Sequence, residues 1–366
     1  MIHFFTKFGS NPQDTPFGRA LAASGARYRL FGASVPMHYA SRLELLFVRL
    51  PGLARTALRW ARQSLLGAHP YPYAVVVGSD IEVLAFALVR LLRLRPRRPS
   101  IVYLGFIYTA RRNPTQEALR RAYYRFVLRF VACAICHSTL ETERYAALFP
   151  GRVRFAFVPW GTDLAWRAEL LRAGRRSAAE CAHYIVAAGK SGRDYPTLFR
   201  AMADVPLDLH VICDYGVPIE AVPKVCARIE ILGNCYDKDY LRQLFEARFV
   251  VIPLRVEDIS AGQMVLIQSM LLGKPVIITE TPTILEYVQP EQDAVLVKQG
   301  DVAGLRAAIL RLCEEDGLCD RLGAAAMASY ERRFTTEAYI ANVLSVVEGL
   351  GRLDGNPERA LASDMV

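Results

Sequence analysis

With 366 residues and a mass of 40.9 kDa, the chain is about twice the size of a usual single domain, so two domains are expected and a disulfide-stapled miniprotein is excluded. Hydrophobic residues make up 52% and charged residues 22%, enough apolar surface to offset chain entropy, which excludes disorder for the bulk of the chain. The net charge of +9 is unevenly placed: residues 1–160 carry 23 basic and 7 acidic side chains, or +16, and residues 161–366 carry 22 and 29, or −7, so the first half expects an anionic partner.

Apolar bursts followed by helix-sized segments predict strands at 3–5, 28–31, 74–77, 101–104, 132–136 and 154–158. The plan repeats at 184–188, 209–213, 229–232, 249–253, 276–279 and 294–297. Strands that are apolar on both faces and joined by helices run parallel in covered sheets, so the class is α/β with two successive doubly wound, Rossmann-like domains. The boundary is expected near residues 161–175. Helix punctuation agrees: Asp14-Thr15-Pro16 opens a helix that Gly25 ends, Asn113-Pro114-Thr115 opens another, and Gly273-Lys274-Pro275 stops a third and feeds a strand.

The start, Met1 to Lys7, has no basic segment followed by a long apolar run and does not read as a signal peptide. The most apolar stretch, residues 74–94, is interrupted by Asp80, Glu82 and Arg90, and charges inside a span cost about 2.5–3.5 kcal/mol each, so no transmembrane helix is expected. Eight scattered cysteines in apolar runs read as reduced core residues of a cytoplasmic protein. Cys133-Ala134-Ile135-Cys136-His137 matches the pattern of covalent haem attachment, but it completes an apolar run from Val131 and reads as a core strand.

In doubly wound sheets ligands bind beyond the carboxyl ends of the strands. After the first strand comes the glycine-bearing turn Phe8-Gly9-Ser10-Asn11. After the first strand of the second domain comes Gly189-Lys190-Ser191-Gly192-Arg193-Asp194-Tyr195-Pro196, whose glycines, cations and following helix start suit a phosphate, although it is neither a P-loop nor G-x-G-x-x-G. Further on, Ser260 is expected to cap a helix beginning near Ala261, with its amides toward an anion and Gln268 two turns later on a similar side.

The stretch from Ser260-Ala261-Gly262-Gln263 through Gln268-Ser269-Met270 and Gly273-Lys274-Pro275 to Glu286-Tyr287-Val288 and Gly300-Asp301 resembles the C-terminal domain of family-4 glycosyltransferases. Val158-Pro159-Trp160-Gly161-Thr162-Asp163 is similar to that family's interdomain element, and Gly189 to Arg193 to its phosphate loop. The likeness covers roughly residues 155–335 closely and the first half in layout. It implies a GT-B fold, two Rossmann-like domains facing across a cleft: an acceptor-side domain over 1–160, a nucleotide-sugar-binding domain over 161–335, a helix over 336–350 packing back toward the first, and a frayed tail over 351–366. It also implies a nucleoside-diphosphate sugar donor, transfer with retention, and no metal or other cofactor. By position, Lys190 and Arg193 would be the catalytic cations at the departing diphosphate, serving the transition state rather than folding. Ser260 and the amides of Ala261, Gly262 and Gln263 would hold phosphate or sugar oxygens, Gln268 would face the ribose, and Gly9, Ser10 and Gly189 would line the nucleotide-sugar site. The sequence departs from the family pattern where many members have two glutamates separated by seven residues: here stand Ser260 and Gln268. The histidine of many relatives is not evident in the segment from Tyr103 to Tyr108, and Glu257 and Asp258 are alternative carboxylates.

Arg55, Arg59 and Arg62, and Arg121, Arg125 and Arg129, each form a helical stripe, and Arg93, Arg95, Arg97 and Arg98 add a cluster. Interleaved with apolar residues, these suit an anionic membrane at about 1 kcal/mol per cation. The expected partners are therefore a nucleotide-sugar donor, a lipid-linked or glycan acceptor of cell-surface polysaccharide or glycolipid synthesis, and the inner face of the cell membrane, approached peripherally. Alternatives left open are a nucleotide-sugar epimerase, an inactive GT-B protein, or a basic nucleic-acid-binding protein, the last disfavoured because no zinc-finger or RNP motif is present.

Overall fold

The computed structural model describes residues 1–6, 11–32, 50–66, 73–91, 99–163, 177–213, 228–255 and 259–353. They belong to two units, one of residues 1–158 with the chain from 339 onward, the other of residues 159–338.

In unit 1 the strands are β1 (Ile2–Thr6), β2 (Tyr28–Gly32), β3 (Ala74–Val77), β4 (Ser100–Leu104), β5 (Val131–Cys136) and β6 (Arg154–Phe157). The described helices are α1 (Pro16–Ala23), α2 (Leu50–Leu66), α3 (Asp80–Leu91), α4 (Pro114–Leu128) and α5 (Thr139–Leu148). The sheet order is β2-β1-β3-β4-β5-β6, every pair parallel. Alternation along β1 sends Phe5 to one face, with Trp60, Val75, Val77 and Phe86, and Ile2 and Phe4 to the other. On that second face Tyr339, Ile340, Val343 and Val347 of the last helix, α11 (Thr336–Leu353), join the core.

Unit 2 contains β7 (Tyr184–Ala188), α6 (Tyr195–Ala201), β8 (Asp208–Ile212), β9 (Ile229–Leu232), α7 (Asp237–Glu246), β10 (Val250–Ile252), α8 (Gln263–Leu271), β11 (Val276–Thr279), β12 (Val295–Val297), α9 (Val302–Glu314) and α10 (Asp316–Arg333). Its sheet runs β12-β11-β10-β7-β8-β9, again parallel, so the winding reverses between β10 and β7. Buried residues cover both faces, with Ile185 and Ala187 on one and Val186 and Ala188 on the other.

All twelve expected strands are present with ends within one residue, because continuous apolar runs leave a buried parallel strand little freedom of register. The helix starts are capped as read: Thr15 Oγ1 accepts from the Gly18 amide at 3.0 Å, and Asn113 Oδ1 from the Thr115 and Gln116 amides at 3.0 and 3.2 Å. Cys133 and Cys136 lie buried in β5, where burial pushes the Cys133 thiol up to about 11, the environment of a core strand. Among the described residues the cysteines form no disulfide, no three His, Cys, Asp or Glu side chains are grouped as a metal site would need, and no helix is long and apolar enough to cross a membrane. The last helix reaches Leu353, past the expected end at 350.

His3, on β1, is 4% exposed and tilted against the Phe31 ring at 5.2 Å. Burial, reinforced by Arg29 and the N-terminal ammonium, lowers its pKa from 6.5 to about 4. Between those values the unfolded chain binds a proton that the folded one refuses, so the stability is fully present above about pH 6.5 and is lost as pH falls toward about 4. Burial lowers the pKa of His137 in the same direction. Urea unfolding at successive pH values should show this acid-side slope, and His3→Phe should reduce it to the part owed to the remaining groups.

Candidate functional site

The reversal between β10 and β7 is where a doubly wound sheet opens a crevice, and the loops leaving those two strands meet there. Arg193 and Leu254 form an antiparallel bridge; the Asp194 amide donates to Pro253 O at 3.0 Å and the Arg255 amide to Gly192 O at 2.8 Å. The fold thus joins residues 189–194 to the strand end that feeds α8. Gly189 and Gly192 take left-handed φ of +94° and +64°, which allow the loop to turn back on itself.

Arg193 is the organising side chain of this loop. It is 9% exposed, its Nε donates to Ala188 O at 2.7 Å, and its Nη1 donates to Ser191 O at 2.8 Å. A Cβ on residue 189 would lie 2.6 Å from Nη2, so Gly189 is required by space as well as by φ. The Tyr195 hydroxyl donates to Gly189 O from the start of α6, and Asp194 accepts from the Thr197 hydroxyl at 2.7 Å. Burial lowers the Arg193 pKa, and Tyr195 and Tyr240 oppose that shift. Lys190, in contrast, is exposed.

The helix after β10 differs from its sequence reading. It begins at Gln263, and its cap is Gly262 at φ +91°, not Ser260. The reason is packing: a Cβ at 262 would sit 3.2 Å from Leu254 Cδ1 and 3.3 Å from Ile252 Cγ2, so the chain takes a left-handed turn over the end of β10 that Gly262 accommodates. The amides of the first turn are consequently those of Gln263, Met264 and Val265. Ala261 is buried with the apolar core, and Ser260 precedes the helix. Gln263 is 6% exposed, and its Nε2 has no hydrogen-bond partner among the described residues.

Gln268 is half-buried, and its Oε1 accepts from the Tyr240 hydroxyl at 2.8 Å. Burial pushes the Tyr240 phenol well above its usual range while the nearby Arg193 charge opposes that rise, so this tyrosine of α7 stands by both predicted residues. Tyr195 falls inside the loop motif without a role read for it, whereas no motif marks Tyr240, which only the folded chain reveals. Gly9, Ser10, Glu257 and Asp258 lie outside the described residues.

Unit 1 has its own polar group at the carboxyl side of its sheet. Asp80, at the start of α3, accepts from Tyr103 at 2.5 Å and from Tyr124 at 3.1 Å, while Tyr123 donates to its carbonyl at 3.0 Å. The segment from Tyr103 to Tyr108 contains no histidine, but the fold brings His137 there: its Nε2 is 3.4 Å from where a Cβ would stand on Gly105, and its Nδ1 is 3.1 Å from Val158 O. Arg55, Arg59 and Arg62 are exposed on α2 while Ala57, Trp60 and Ala61 face the core. The α4 stripe is interrupted, because Arg121 pairs with Glu117 at 2.7 Å; Arg125 and Arg129 remain exposed. The cluster at Arg93, Arg95, Arg97 and Arg98 lies outside the described residues.

Residues 193–315, from the loop cation through α8 and α9, match the family described as Glycosyl transferases group 1. The match lies within unit 2 and marks a likeness to group 1 glycosyltransferases. No curated protein matches the sequence significantly. Among solved structures the chain is similar to a sucrose-phosphate synthase from Thermosynechococcus elongatus, at 18% identity and a TM-score of 0.65 over 96% of this chain and 99% of that one. It is also similar to Anabaena HepE in complex with UDP-glucose (15%, 0.60, over 94% and 100%) and to an α,α-trehalose 6-phosphate synthase from Burkholderia multivorans (10%, 0.63, over 97% and 99%). At these identities the likeness shows the GT-B fold: two six-stranded parallel sheets covered by helices.

Two nitrogens of Arg193 are bound to backbone carbonyls, of Ala188 at the end of β7 and of Ser191 in its own loop, so the residue has a structural role that the sequence reading did not anticipate. Arg193→Ala leaves the Ala188 and Ser191 carbonyls without their donors and should destabilise by about 1–3 kcal/mol in denaturant unfolding. Gly189→Ala, which sets a methyl against the guanidinium, should be destabilising as well.

Proposed function

We propose that the enzyme transfers a sugar from a nucleoside-diphosphate sugar, bound by unit 2, to a glycan or lipid-linked acceptor assigned to unit 1, with retention of anomeric configuration. The observation that carries this reading is the pairing of the Gly189–Arg193 loop, with its buried guanidinium, to the strand end that leads into α8 at the sheet's switch point. Cleavage of the sugar–phosphate bond builds negative charge on the diphosphate. Lys190, the remaining Arg193 nitrogen and the amides of Gln263, Met264 and Val265 are donors suited to that charge, and fixed donors lower the barrier because they need no reorganisation. On this reading Gln268 faces the ribose, the diphosphate is met by these donors, and no metal is assigned a role. The UDP-glucose complex of HepE supports the same class of donor.

The acceptor is assigned to cell-surface polysaccharide or glycolipid synthesis, reached at the inner membrane face through the exposed arginines of α2. Attraction of this kind is screened over about 8 Å at physiological salt.

A thermal-shift panel of UDP, GDP, ADP and TDP should single out one base, with about 2.7 kcal/mol of stabilisation at 100 times the dissociation constant. Lys190→Ala, at an exposed position, should leave the melting temperature nearly unchanged and lower sugar transfer by about 10²–10³. Turnover of donor in the absence of acceptor would instead identify an epimerase. In vesicle flotation the protein should rise with anionic but not neutral vesicles, be released by high salt, and lose binding when Arg55, Arg59 and Arg62 are replaced by Glu; equal binding to both vesicle types would contradict a role for these charges.

A further inference from the structure

Gln268 stands where many relatives have a glutamate, and the simplest account treats it as a weakened acceptor. The geometry points to the opposite polarity. Resting on the nucleoside-diphosphate reading of unit 2, we propose that Tyr240 is a positioning residue that locks the Gln268 amide with its Nε2 toward the ligand, making the ribose contact a hydrogen-bond donor. The ligand atom it meets is then an acceptor oxygen, a ribose hydroxyl receiving the bond.

A primary amide offers an acceptor oxygen and a donor nitrogen, and its orientation is set by whichever neighbour is least adaptable. Here that neighbour is Tyr240, whose hydroxyl lies 2.8 Å from Gln268 Oε1. A phenol has one proton, and two features direct it to Gln268. The Arg193 guanidinium nearby offers no acceptor, and its positive charge favours a phenol dipole with oxygen toward the cation and proton away from it. Turning the amide over would set its NH₂ against the phenol oxygen and leave the phenol proton to find another acceptor. With Oε1 occupied, Nε2 is the amide atom left to bond a ligand, and the residue is only half-buried.

This orientation matches the other groups of the site. Lys190, the Arg193 guanidinium and the first-turn amides of α8 are all donors, so a ligand rich in acceptor oxygens suits the groups assigned to this site. A carboxylate at position 268 would accept from Tyr240 equally well but would have no N–H to donate to the ligand. Gln268 and Tyr240 therefore act as a pair adapted to each other.

Calorimetric titration of the full chain tests this, using whichever of UDP, GDP, ADP or TDP binds the wild type. Tyr240→Phe keeps the ring and removes only the hydroxyl; it should weaken binding about threefold to tenfold. Gln268→Leu should weaken it to a similar extent, and Tyr240→Phe added to Gln268→Leu should cost nothing more, because Tyr240 acts through the amide. A merely structural tyrosine would give additive losses. Gln268→Glu should bind about tenfold or more weakly than wild type. Additive single losses, or a Gln268→Glu protein that binds as tightly as wild type or better, would overturn the proposal while leaving the nucleotide reading intact. Should the Glu variant not fold, the cycle of Phe and Leu variants decides alone. A wild type that binds none of the four nucleotides would remove both.

Discussion

A guanidinium buried against the backbone of its own loop is the interaction on which the unit 2 site depends. Removing a charge from water is costly unless its donors are satisfied, and Arg193 satisfies two of them on Ala188 O and Ser191 O, within five residues of itself. The arrangement closes only if residue 189 has no side chain and can take φ +94°, and only if residues 253–255 run antiparallel beside it. Loop, glycine and neighbouring strand end are therefore one device. It fixes the position of the cation within unit 2.

The second consequence concerns α8. Because residues 253–255 are tied to the loop, the chain has few residues in which to rise off the sheet and start a helix. A left-handed Gly262 packed over Ile252 and Leu254 makes the turn, and the helix starts at Gln263. Its first-turn amides are displaced along the chain from where a serine cap would have put them. Tyr240, from the preceding helix, bonds the Gln268 amide and also feels the Arg193 charge, so residues from three separate elements influence one another here.

Unit 1 uses its polar residues differently. The Asp80 carboxylate is surrounded by phenols from β4 and α4, and Arg120 lies over the Tyr108 and Tyr124 rings at 5.4 and 5.1 Å. Part of the basic surplus is consumed internally in this way, by Arg120 on aromatic faces and Arg121 on Glu117. The arginines of α2, with Arg125 and Arg129, stay exposed, a difference that a charge count over residues 1–160 does not show.

The strands, the α/β class and the capped helix starts were legible in the sequence, since each rests on local patterns: apolar runs, a proline after a threonine or asparagine, a glycine at a stop. The loop at Gly189–Arg193 was legible too, because cations and glycines after a strand are a chemical signature in their own right. What the sequence did not determine is how donors are shared among loop, helix and ligand. That the Arg193 loop pairs with the strand end at Leu254, and that Gln268 meets Tyr240, depends on contacts across 61 and 28 positions. Such pairings leave no local trace, because a tyrosine in an amphipathic helix or a glycine in a loop looks the same whether or not a distant partner will meet it. Tertiary structure decided them, through the close packing that puts Leu254 beside Arg193 and a phenol against an amide.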